Sequence, residues 1–487
     1  MSTKGASGDG LADVVVVGGG GSGLAAAISA AEQGRSVILL EKNPHLGGST
    51  RWSVGSITSS GTPHQKKRGI IDDPQAHFED LGKLAGPLAN RDNLSLRRLL
   101  TANVPQTFAW LRSMGVEFFG PMEEPPHRVP RMHNVLPNSQ AYIFHLSRRA
   151  RKLKIDIRLR TQATRIVLEN GRATAIEAST ETGLSRFVAR CGIVLAGGDY
   201  SNNSSMKAAL ASAALANVPA VNPTATGDCQ RMVEAIGGEI LNGDLVLGPV
   251  LRFAPPKRRM FYQKIPPAAA LTRLMRFGLE AMPPALVRPF VMGFMTTVLA
   301  PEMSLYRNGA VLVGRDGRKL GLDGVTPGQA VAATDDNTAF IVFDDALAKA
   351  YTAWPNFVST APGVAYAYLP DYQRTRPDLC HQASDVSGLA HKLGMPADAL
   401  GTAFKTVPAG PVHALGPLHA FVVLTDGGVR VSDRLEVLTR TGEPVAGLFA
   451  AGSTGQGGLL LEGHGHHLGW AFTSGRIAGR NAAQYSP

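Results

Sequence analysis

The chain opens with the hydrophobic pattern of a β-α-β unit. Residues 14–17 form a continuous valine run, as expected for a strand buried on both faces of a parallel sheet. The alanine-rich stretch 24–33 has high helix propensity, and Gly34 ends it before a second apolar strand at 36–40. The pattern therefore predicts strand, helix and strand within the first 40 residues.

Similar patterns alternate along the rest of the chain. Apolar runs predict strands at 166–168 and 193–195, and helix-like stretches occupy 141–154 and 230–236. In 271–279 apolar residues recur at i, i+3 and i+4, which predicts an amphipathic helix. Strands that alternate with helices indicate an α/β fold.

Glycines stand between the first strand and the first helix. Gly18, Gly20 and Gly23 have G-x-G-x-x-G spacing, and Glu41 follows the second strand. Glycine lets the backbone approach a pyrophosphate, the helix N-terminus attracts its charge, and the carboxylate can accept hydrogen bonds from a ribose. We therefore expect a dinucleotide site, the alternative being a structural glycine turn. The candidate contacts of this unit are Gly18, Gly20, Gly21, Ser22, Gly23, Glu41 and Lys42.

Charge is unevenly distributed along the 487 residues. Lys and Arg number 49 against 38 Asp and Glu, a formal net charge of +11. Residues 252–300 hold one acid, Glu280, and eight bases: Arg252, Lys257, Arg258, Arg259, Lys264, Arg273, Arg276 and Arg288. These bases are not arranged as in any RNA- or DNA-binding module, so nucleic-acid binding is not expected.

Cysteine usage and the N-terminus indicate a cytoplasmic protein. Three scattered cysteines form neither a disulfide framework nor a CxxC metal motif. The first 20 residues lack a basic region followed by an apolar run, so no signal peptide is expected. The apolar tract 281–300 contains three prolines and Arg288, which is unfavourable for a membrane-spanning helix.

A second small-residue loop follows Glu41-Lys42 and ends in Gly47-Gly48-Ser49-Thr50. This segment resembles the E-K-x-x-x-x-G-G-S/N-T motif of the fumarate reductase/succinate dehydrogenase flavoprotein and 3-ketosteroid Δ1-dehydrogenase superfamily, whose loop lies along the FAD. Other segments similar to that superfamily are 160–164, 193–199, 226–229, 386–396, 447–452 and 475–483. The resemblance implies further FAD contacts at Gly48, Ser49, Thr50, Gly55, Ala163, Gly197, Asp228, Gly452 and Leu468.

The resemblance also implies an architecture. It predicts a Rossmann-like FAD-binding domain of the glutathione-reductase type, built from residues 1–245 and 386–487, with an inserted α+β substrate or capping domain at 246–385. His45 has neighbours unlike the attachment segment of succinate dehydrogenases, so non-covalent FAD is expected. No second nucleotide fingerprint is present, which points to an external electron acceptor of unknown identity.

The superfamily's catalytic residues do not carry over. Fumarate reductases hold a dicarboxylate with a His and an Arg, at positions that correspond here to Leu424 and His467, and their proton-donating Arg has no counterpart after Asp323. An anion desolvated without its cations is unfavourable. The tail 463–479 resembles the ketosteroid dehydrogenase version, which favours a neutral carbonyl substrate.

The ketosteroid dehydrogenase tyrosines are also missing, because Leu461 and approximately Pro327 occupy their positions. His464, His466 and His467 remain as candidate proton-transfer groups, since histidine titrates near neutral pH. They could instead only hydrogen-bond flavin or loop carbonyls. A zinc site is a third interpretation, disfavoured because no Cys or Asp ligand lies nearby. His133 is a further catalytic candidate, although a capping polar turn is the simpler interpretation.

These observations predict an FAD-dependent oxidoreductase acting on CH–CH bonds. The first hypothesis is a dehydrogenase that introduces an α,β double bond next to the carbonyl of a cyclic or apolar ketone, with hydride passing to flavin N5. The second hypothesis is a fumarate-reductase-like enzyme that works in the reverse direction and reduces an unsaturated carbonyl compound or acid. The third is a non-catalytic, flavin-bound, membrane-associated partner protein. Residues 252–300 could form a lid that also touches a membrane surface, or an ordinary cap or oligomer contact.

Overall fold

The computed structural model describes most of the chain. The described residues are 9–256, 264–283, 288, 292–293, 295–297, 299–361 and 365–486. Lys257, Arg258 and Arg259, three of the bases counted in the 252–300 stretch, lie outside them.

Strands occur throughout these residues. In chain order they are β1 (Gly10–Val17), β2 (Val37–Leu40), β3 (Ser56–Thr58), β4 (Glu117–Met122), β5 (Met132–Leu136), β6 (Asp156–Arg158), β7 (Gln162–Glu169), β8 (Arg172–Thr180), β9 (Gly183–Leu195), β10 (Ile240–Leu241), β11 (Val246–Leu247), β12 (Val250–Phe253), β13 (Val311–Gly314), β14 (Ala339–Asp344), β15 (Ser359–Ala361), β16 (Ala365–Ala367), β17 (Cys380–Ala383), β18 (Val412–Phe421), β19 (Leu424–Thr425), β20 (Gly428–Val429), β21 (Glu436–Leu438) and β22 (Pro444–Ala450).

Helices connect and cover the strands. They are α1 (Gly21–Glu32), α2 (Gly48–Trp52), α3 (Pro63–Lys67), α4 (Pro74–Leu84), α5 (Leu94–Ser113), α6 (Gln140–Lys152), α7 (Ser204–Leu210), α8 (Asp228–Glu234), α9 (Ala269–Ala281), α10 (Met303–Arg307), α11 (Pro327–Ala332), α12 (Asp345–Ala350), α13 (Leu369–Thr375), α14 (Val386–Leu393), α15 (Ala397–Ala403) and α16 (His466–Gln484). Short 3₁₀ turns occupy Gly86–Arg91, Ala213–Leu215 and Pro377–Leu379. No helix among the described residues is long and apolar enough to cross a bilayer.

The largest sheet has the strand order β21-β22-β8-β9-β1-β2-β6, with β7 paired to β8. Its centre is parallel: β1 pairs with β2 in the register Val14↔Val37 and with β9 in the register Val14↔Gly192. Residues 14–17 of β1 are buried, so the strand, helix and strand predicted from the first 40 residues are confirmed.

Helices α1 and α16 pack tightly against each other beside this sheet. Glycines allow the contact, because a Cβ at Gly475 would lie 2.3 Å from the Ser22 carbonyl oxygen and one at Gly479 only 2.1 Å from that of Ala26. The C-terminal helix is thereby fixed against the N-terminal β-α-β unit.

A second, antiparallel sheet has the order β12-β18-β14-β13, with β17 also paired to β18. It separates two smaller hydrophobic cores, one of which includes residues of α14 and α15. Residues of α14, α15 and β18 therefore pack with this sheet, although they follow the boundary at 385; the domain division itself stays a prediction. The hydrophobic pattern of 386–396 identified a helix but could not show which sheet it covers.

A third sheet, β3-β5-β4, lies beside the N-terminal end of α16. Gly465 contributes to this contact, because its carbonyl accepts a hydrogen bond from the Thr58 amide and its own Cα has no room for a side chain. This arrangement brings the histidine loop before α16 against β3.

Candidate functional site

An elongated cleft lies at the carboxyl ends of β1, β2 and β9, where ligands bind in open α/β sheets. It encloses about 800 Å³ of empty space, part of which is open to solvent. Its lining residues are Val17, Gly18, Gly19, Gly20, Gly21, Ser22, Leu40, Glu41, Lys42, Asn43, Gly48, Ser49, Thr50, Thr161, Gln162, Ala163, Ala196, Gly197, Gly198, Asn222, Thr224, Ala225, Asp228, Cys229, Ser453 and Ala471.

The glycine loop gives this cleft a backbone cradle. Gly18 has φ +106°, and a Cβ there would lie 2.3 Å from the Ala196 carbonyl oxygen. Gly20 faces open space instead, since its nearest neighbours would lie 3.8 Å from an added Cβ. Gly20, the N-cap of α1, has no side chain to cap the helix, and the Gly21 amide donates to the Thr50 hydroxyl at 3.2 Å. The helix amides that follow can face a bound pyrophosphate. These features fit the phosphates of FAD.

Glu41 closes one side of the cleft. Its buried carboxylate accepts hydrogen bonds from the Gly19 amide at 2.7 Å and from the Asn43 amide at 2.8 Å. The carboxylate is therefore held by the backbone on both sides of the β-α-β unit, in the position from which it could accept hydrogen bonds from a ribose.

Lys42 and Asp228 join the two sides of the cleft. The Lys42 Nζ donates to Asp228 Oδ2 at 2.7 Å and also to the Thr226 hydroxyl. Burial would raise the pKa of Asp228, but the hydrogen bond and charge of Lys42 lower it below its ordinary value. Asp228 is thus an anion fixed in place beside the cleft.

Four of the predicted cofactor contacts lie outside this cleft. Gly23 packs against Gly18, whose carbonyl oxygen an added Cβ would approach to 1.8 Å, and the Gly55 carbonyl accepts a hydrogen bond from the Tyr142 hydroxyl. Gly452 is tied to α16 through its amide and carbonyl, and Leu468 belongs to the main hydrophobic core. These residues shape the fold around the cleft and do not line it.

Several lining residues were not named from the sequence. Asn222 donates from Nδ2 to the Ser49 hydroxyl at 2.9 Å, and Thr161, Gln162 and Ser453 also face the cleft. Thr161 and Gln162 lie in segment 160–164, which the resemblance had already marked, with Gln162 at the start of β7. Asn222 and Ser453 have no motif of their own, and only the small and polar composition of their surroundings could have indicated them.

His467 forms a pair with Asp426. Its Nε2 lies 3.1 Å from Asp426 Oδ1, which also accepts a hydrogen bond from Gln456 Nε2 at 2.7 Å. His467 lies four residues, or about 6 Å, before Ala471 on α16 and on the same helix face. Since Ala471 lines the cleft, His467 lies about one helical turn from a residue of the cleft wall.

His464 lies nearer to solvent. Its side chain is 60% exposed, and its Nδ1 lies 2.6 Å from Glu124 Oε1, which also accepts a hydrogen bond from the His464 amide. The hydrogen bond to Glu124 raises the pKa of His464 above its ordinary value. His464 and Glu124 therefore form an ion pair at the rim of the histidine loop.

His466 points the other way, into the protein. Its Nδ1 bonds the Glu462 carbonyl oxygen at 2.7 Å, and its Nε2 lies 3.3 Å from Nε2 of buried His77. Burial, followed by the charge of His127, lowers the pKa of His466 to about 3. His466 is a neutral, buried group, so we do not retain it as a proton-transfer candidate.

His133 is likewise buried. It lies on β5, and its Nε2 is 3.0 Å from the Thr62 hydroxyl. Burial lowers its pKa to about 3. The prediction that His133 faces the substrate is corrected, because the β3-β5-β4 sheet and its neighbours cover it on every side.

Among the residues that the structure describes, no three His, Cys, Asp or Glu side chains are arranged to hold a metal ion. The His-x-His-His segment itself diverges, since its three imidazoles contact Glu124, His77 and Asp426 respectively.

Comparison with known proteins gives consistent matches over nearly the whole chain. A family model described as an FAD binding domain matches residues 13–255 and 278–460. A fumarate reductase (cytochrome) of Shewanella frigidimarina is 26% identical over 97% of this chain and 77% of its own length. A vinyl phenol reductase of Lactiplantibacillus plantarum is 27% identical over 97% of both chains. A KsdD-like steroid dehydrogenase of Mycobacterium tuberculosis is 25% identical over 99% of this chain and 98% of its own.

Solved structures share the fold. The open conformation of a flavocytochrome c3 fumarate reductase superposes with a TM-score of 0.73 at 23% identity, covering 98% of this chain and 79% of that chain. A 3-ketosteroid-Δ4-(5α)-dehydrogenase from Rhodococcus jostii gives 0.61 at 23% identity, covering 99% of both.

Proposed function

The chain belongs to the FAD binding domain family, and from that premise we propose that it is a dehydrogenase that desaturates the α,β bond of an uncharged, apolar carbonyl compound. The family match and the similar relatives confirm the resemblance seen in the sequence, with FAD as cofactor and oxidoreductase chemistry at CH–CH bonds. Bound FAD supplies the two-electron acceptor for the hydride that leaves the β-carbon. The chain itself must remove the α-proton.

The observation that carries the proposal is the His467–Asp426 pair. Burial would raise the pKa of Asp426, but the hydrogen bonds from His467 and Gln456 lower it, so Asp426 is a carboxylate. A carboxylate only accepts hydrogen bonds, so neutral His467 donates to it from Nε2 and carries its lone pair on Nδ1. His467 is thereby oriented as a general base.

The surroundings favour a neutral substrate. Leu424 and His467 stand where the fumarate reductase pattern has a His and an Arg, so the dicarboxylate clamp of that pattern is absent from these two positions. Residues 459–461, just before the histidine loop, are three buried leucines. We propose that the antiparallel second sheet and its helices cover this end of the cleft, as the predicted substrate domain.

The test is an anaerobic half-reaction of the FAD-loaded protein. Mixing with cyclic ketones and 3-ketosteroids should bleach the flavin absorbance, and His467→Gln should slow bleaching without releasing FAD. Exposed His391 provides a matched control, so His391→Gln should behave as the parent. Failure of a broad ketone panel to reduce the flavin, or an unchanged rate in His467→Gln, would contradict the proposal.

A second candidate is the reverse reaction, reduction of an activated carbon–carbon double bond. The similarity to a fumarate reductase and a vinyl phenol reductase over 97% of this chain favours it. The flavin of the dithionite-reduced protein should then be reoxidised faster after addition of an enone or a vinyl phenol than after addition of solvent alone. Reoxidation by these acceptors without any reduction by ketones would replace the first proposal with the second.

A further inference from the structure

Helix α9 is an unusual surface element. Of its 13 residues only Thr272 is buried, and Leu274 and Phe277 are each 66% exposed. Ion pairs hold the helix against the rest of the protein: Arg273 and Arg276 pair with Glu117 of β4, and Glu280 pairs with Lys67. Leu274 and Phe277 therefore face outwards, whereas Leu271, Met275 and Leu279 are half-buried.

Helix α6 presents a cationic face. Phe144, Arg148, Arg151 and Lys152 are exposed at spacings that place them on one side of the helix. The helix contains no acidic residue, and among the described ion pairs none involves these three bases, whereas Arg149 on the next face pairs with Glu32.

The two helices adjoin. A Cβ on Gly115 would lie 2.9 Å from the His145 ring of α6 and 3.6 Å from the Ala269 side chain of α9, and His145 packs edge-on against Phe144 with ring centroids 5.1 Å apart. The first residue of α9 thus adjoins α6, the helix that carries the unpaired cations. We call Phe144, Arg148, Arg151, Lys152, Leu274 and Phe277 the α6–α9 patch.

We propose that the α6–α9 patch docks the protein on an anionic lipid bilayer. Protruding apolar side chains flanked by unpaired Lys and Arg are what an interfacial helix needs, because the apolar groups enter the acyl boundary while the cations meet lipid phosphates. An acidic protein would match the cations but would leave Leu274 and Phe277 without a comparable apolar environment. The structure also changes the sequence-based interpretation of this region: the α9 arginines are paired with Glu117, and the unpaired cations come from α6.

The experiment is flotation of the FAD-loaded protein with liposomes. Vesicles of phosphatidylcholine with 30 mol% phosphatidylglycerol are compared with pure phosphatidylcholine, at 0.1 M and 0.5 M NaCl. Binding should require the anionic lipid and weaken at high salt. Arg148→Gln/Arg151→Gln/Lys152→Gln should lower the partition coefficient on the order of 100-fold, because each cation near the surface contributes about fivefold.

Matched variants separate this effect from a general loss of charge or folding. Arg318→Gln/Lys319→Gln/Lys405→Gln removes three exposed bases from the second sheet region and should float as the parent does. Leu274→Ser/Phe277→Ser should lower binding at least tenfold, whereas Leu184→Ser, at another exposed leucine, should not. Equal thermal midpoints and flavin spectra confirm that each variant is folded.

Three outcomes would overturn the proposal. One is the absence of flotation with anionic vesicles; another is equal binding by the α6–α9 variants and the parent. The third is a loss of vesicle binding in the charge variant but not in Leu274→Ser/Phe277→Ser, together with binding of the parent to polyglutamate beads as strong as its binding to vesicles. That result would indicate that the patch binds an acidic macromolecule and not a bilayer. None of these results depends on turnover, so they leave the proposed dehydrogenase function open to its own test.

Discussion

The Nε2 atom of His467 and the Oδ1 atom of Asp426 lie 3.1 Å apart at the N-terminal end of α16. The Asp426 side chain is only 12% exposed, and its Oδ1 atom also accepts a hydrogen bond from Gln456 Nε2. The pair joins a helix start to the loop after β19, two segments 41 residues apart in sequence. The resemblance alone gave Asp426 no role, because the superfamily motifs quoted from the sequence do not include an acid there.

Asp426 is expected to act as the positioning residue for His467. In Asp426→Asn the amide can donate to His467, which favours the tautomer with the lone pair on Nε2 and misdirects the base. We expect flavin reduction to slow by about 100-fold, the lower range for loss of general base catalysis. The measurement is anaerobic stopped-flow absorbance of the flavin band from pH 5 to 9.

The control is Asp433→Asn, which removes an exposed carboxylate between β20 and β21 and should leave the rate unchanged. Asp426→Glu should restore part of the rate, since it returns an acceptor. Release of FAD by Asp426→Asn would indicate a purely structural role for Asp426. The same would follow if Asp426→Asn lowered the rate by the same factor at every pH and Asp426→Glu lowered it equally.

Gly20 is expected to be required for the cofactor and not for the fold. Its φ of −79° suits any residue, and an added Cβ would make only ordinary van der Waals contact, 3.8 Å from the Gly48 Cα. In Gly20→Val the side chain would instead occupy the cleft beside the α1 N-terminus. We expect the FAD dissociation constant to rise at least tenfold while circular dichroism stays unchanged, as measured by flavin fluorescence titration.

The matched substitution is Gly321→Val, at another glycine with open space and no positive φ. It should bind FAD as the parent does. Parent-like affinity in Gly20→Val would mean that the pyrophosphate does not lie against this glycine.

The contrast between Gly20 and Gly23 shows how far the sequence could lead. Local spacing predicted the strand, the helix and the glycine turn, since each depends on neighbours within a few residues. The spacing could not show that Gly20 lines the cleft whereas Gly23 contacts Gly18. That difference depends on which side of the glycine turn packs against the rest of the protein. The pairing of His467 with Asp426 and the burial of His133 depend on contacts across 41 or more residues, and no periodicity encodes those.

Gly479 is expected to be essential for the packing of α16 on α1. An added Cβ would lie 2.1 Å from the Ala26 carbonyl oxygen, so Gly479→Ala must separate the two helices despite the higher helix propensity of alanine. Overpacking of this kind costs about 1–3 kcal/mol. The midpoint of urea denaturation should fall accordingly.

Gly401→Ala is the control for propensity, because this glycine of α15 has open space around its Cα. It should leave the midpoint unchanged or raise it slightly. A parent-like midpoint in Gly479→Ala would contradict the close contact between α1 and α16.

Buried neutral histidines are expected to make the protein sensitive to mild acid. Burial lowers the pKa of His133 and His466 to about 3 and that of His64 to about 4. In the unfolded chain each returns to about 6.5, so between pH 6.5 and pH 4 the unfolded state binds more protons. The free energy of unfolding should therefore fall as the pH is lowered from 7 to 5, by up to about 1.4 kcal/mol per pH unit for each histidine.

Asp199, Glu462 and His464, whose pKa values are raised in the folded protein, oppose this fall, so a single-histidine variant is needed to assign the slope. Glu124, whose pKa is lowered because the hydrogen bonds from His464 outweigh its burial, loses its stabilising contribution only at more acidic pH. Urea denaturation midpoints of the FAD-loaded protein at pH 7, 6 and 5 measure the slope. His133→Asn should reduce that slope by about one proton even if it also lowers stability overall, whereas His391→Gln, at an exposed helix position, should leave it unchanged. A stability that stays constant from pH 7 to 5, or a slope that His133→Asn does not alter, would show that these imidazoles reach solvent and take up protons in the folded state.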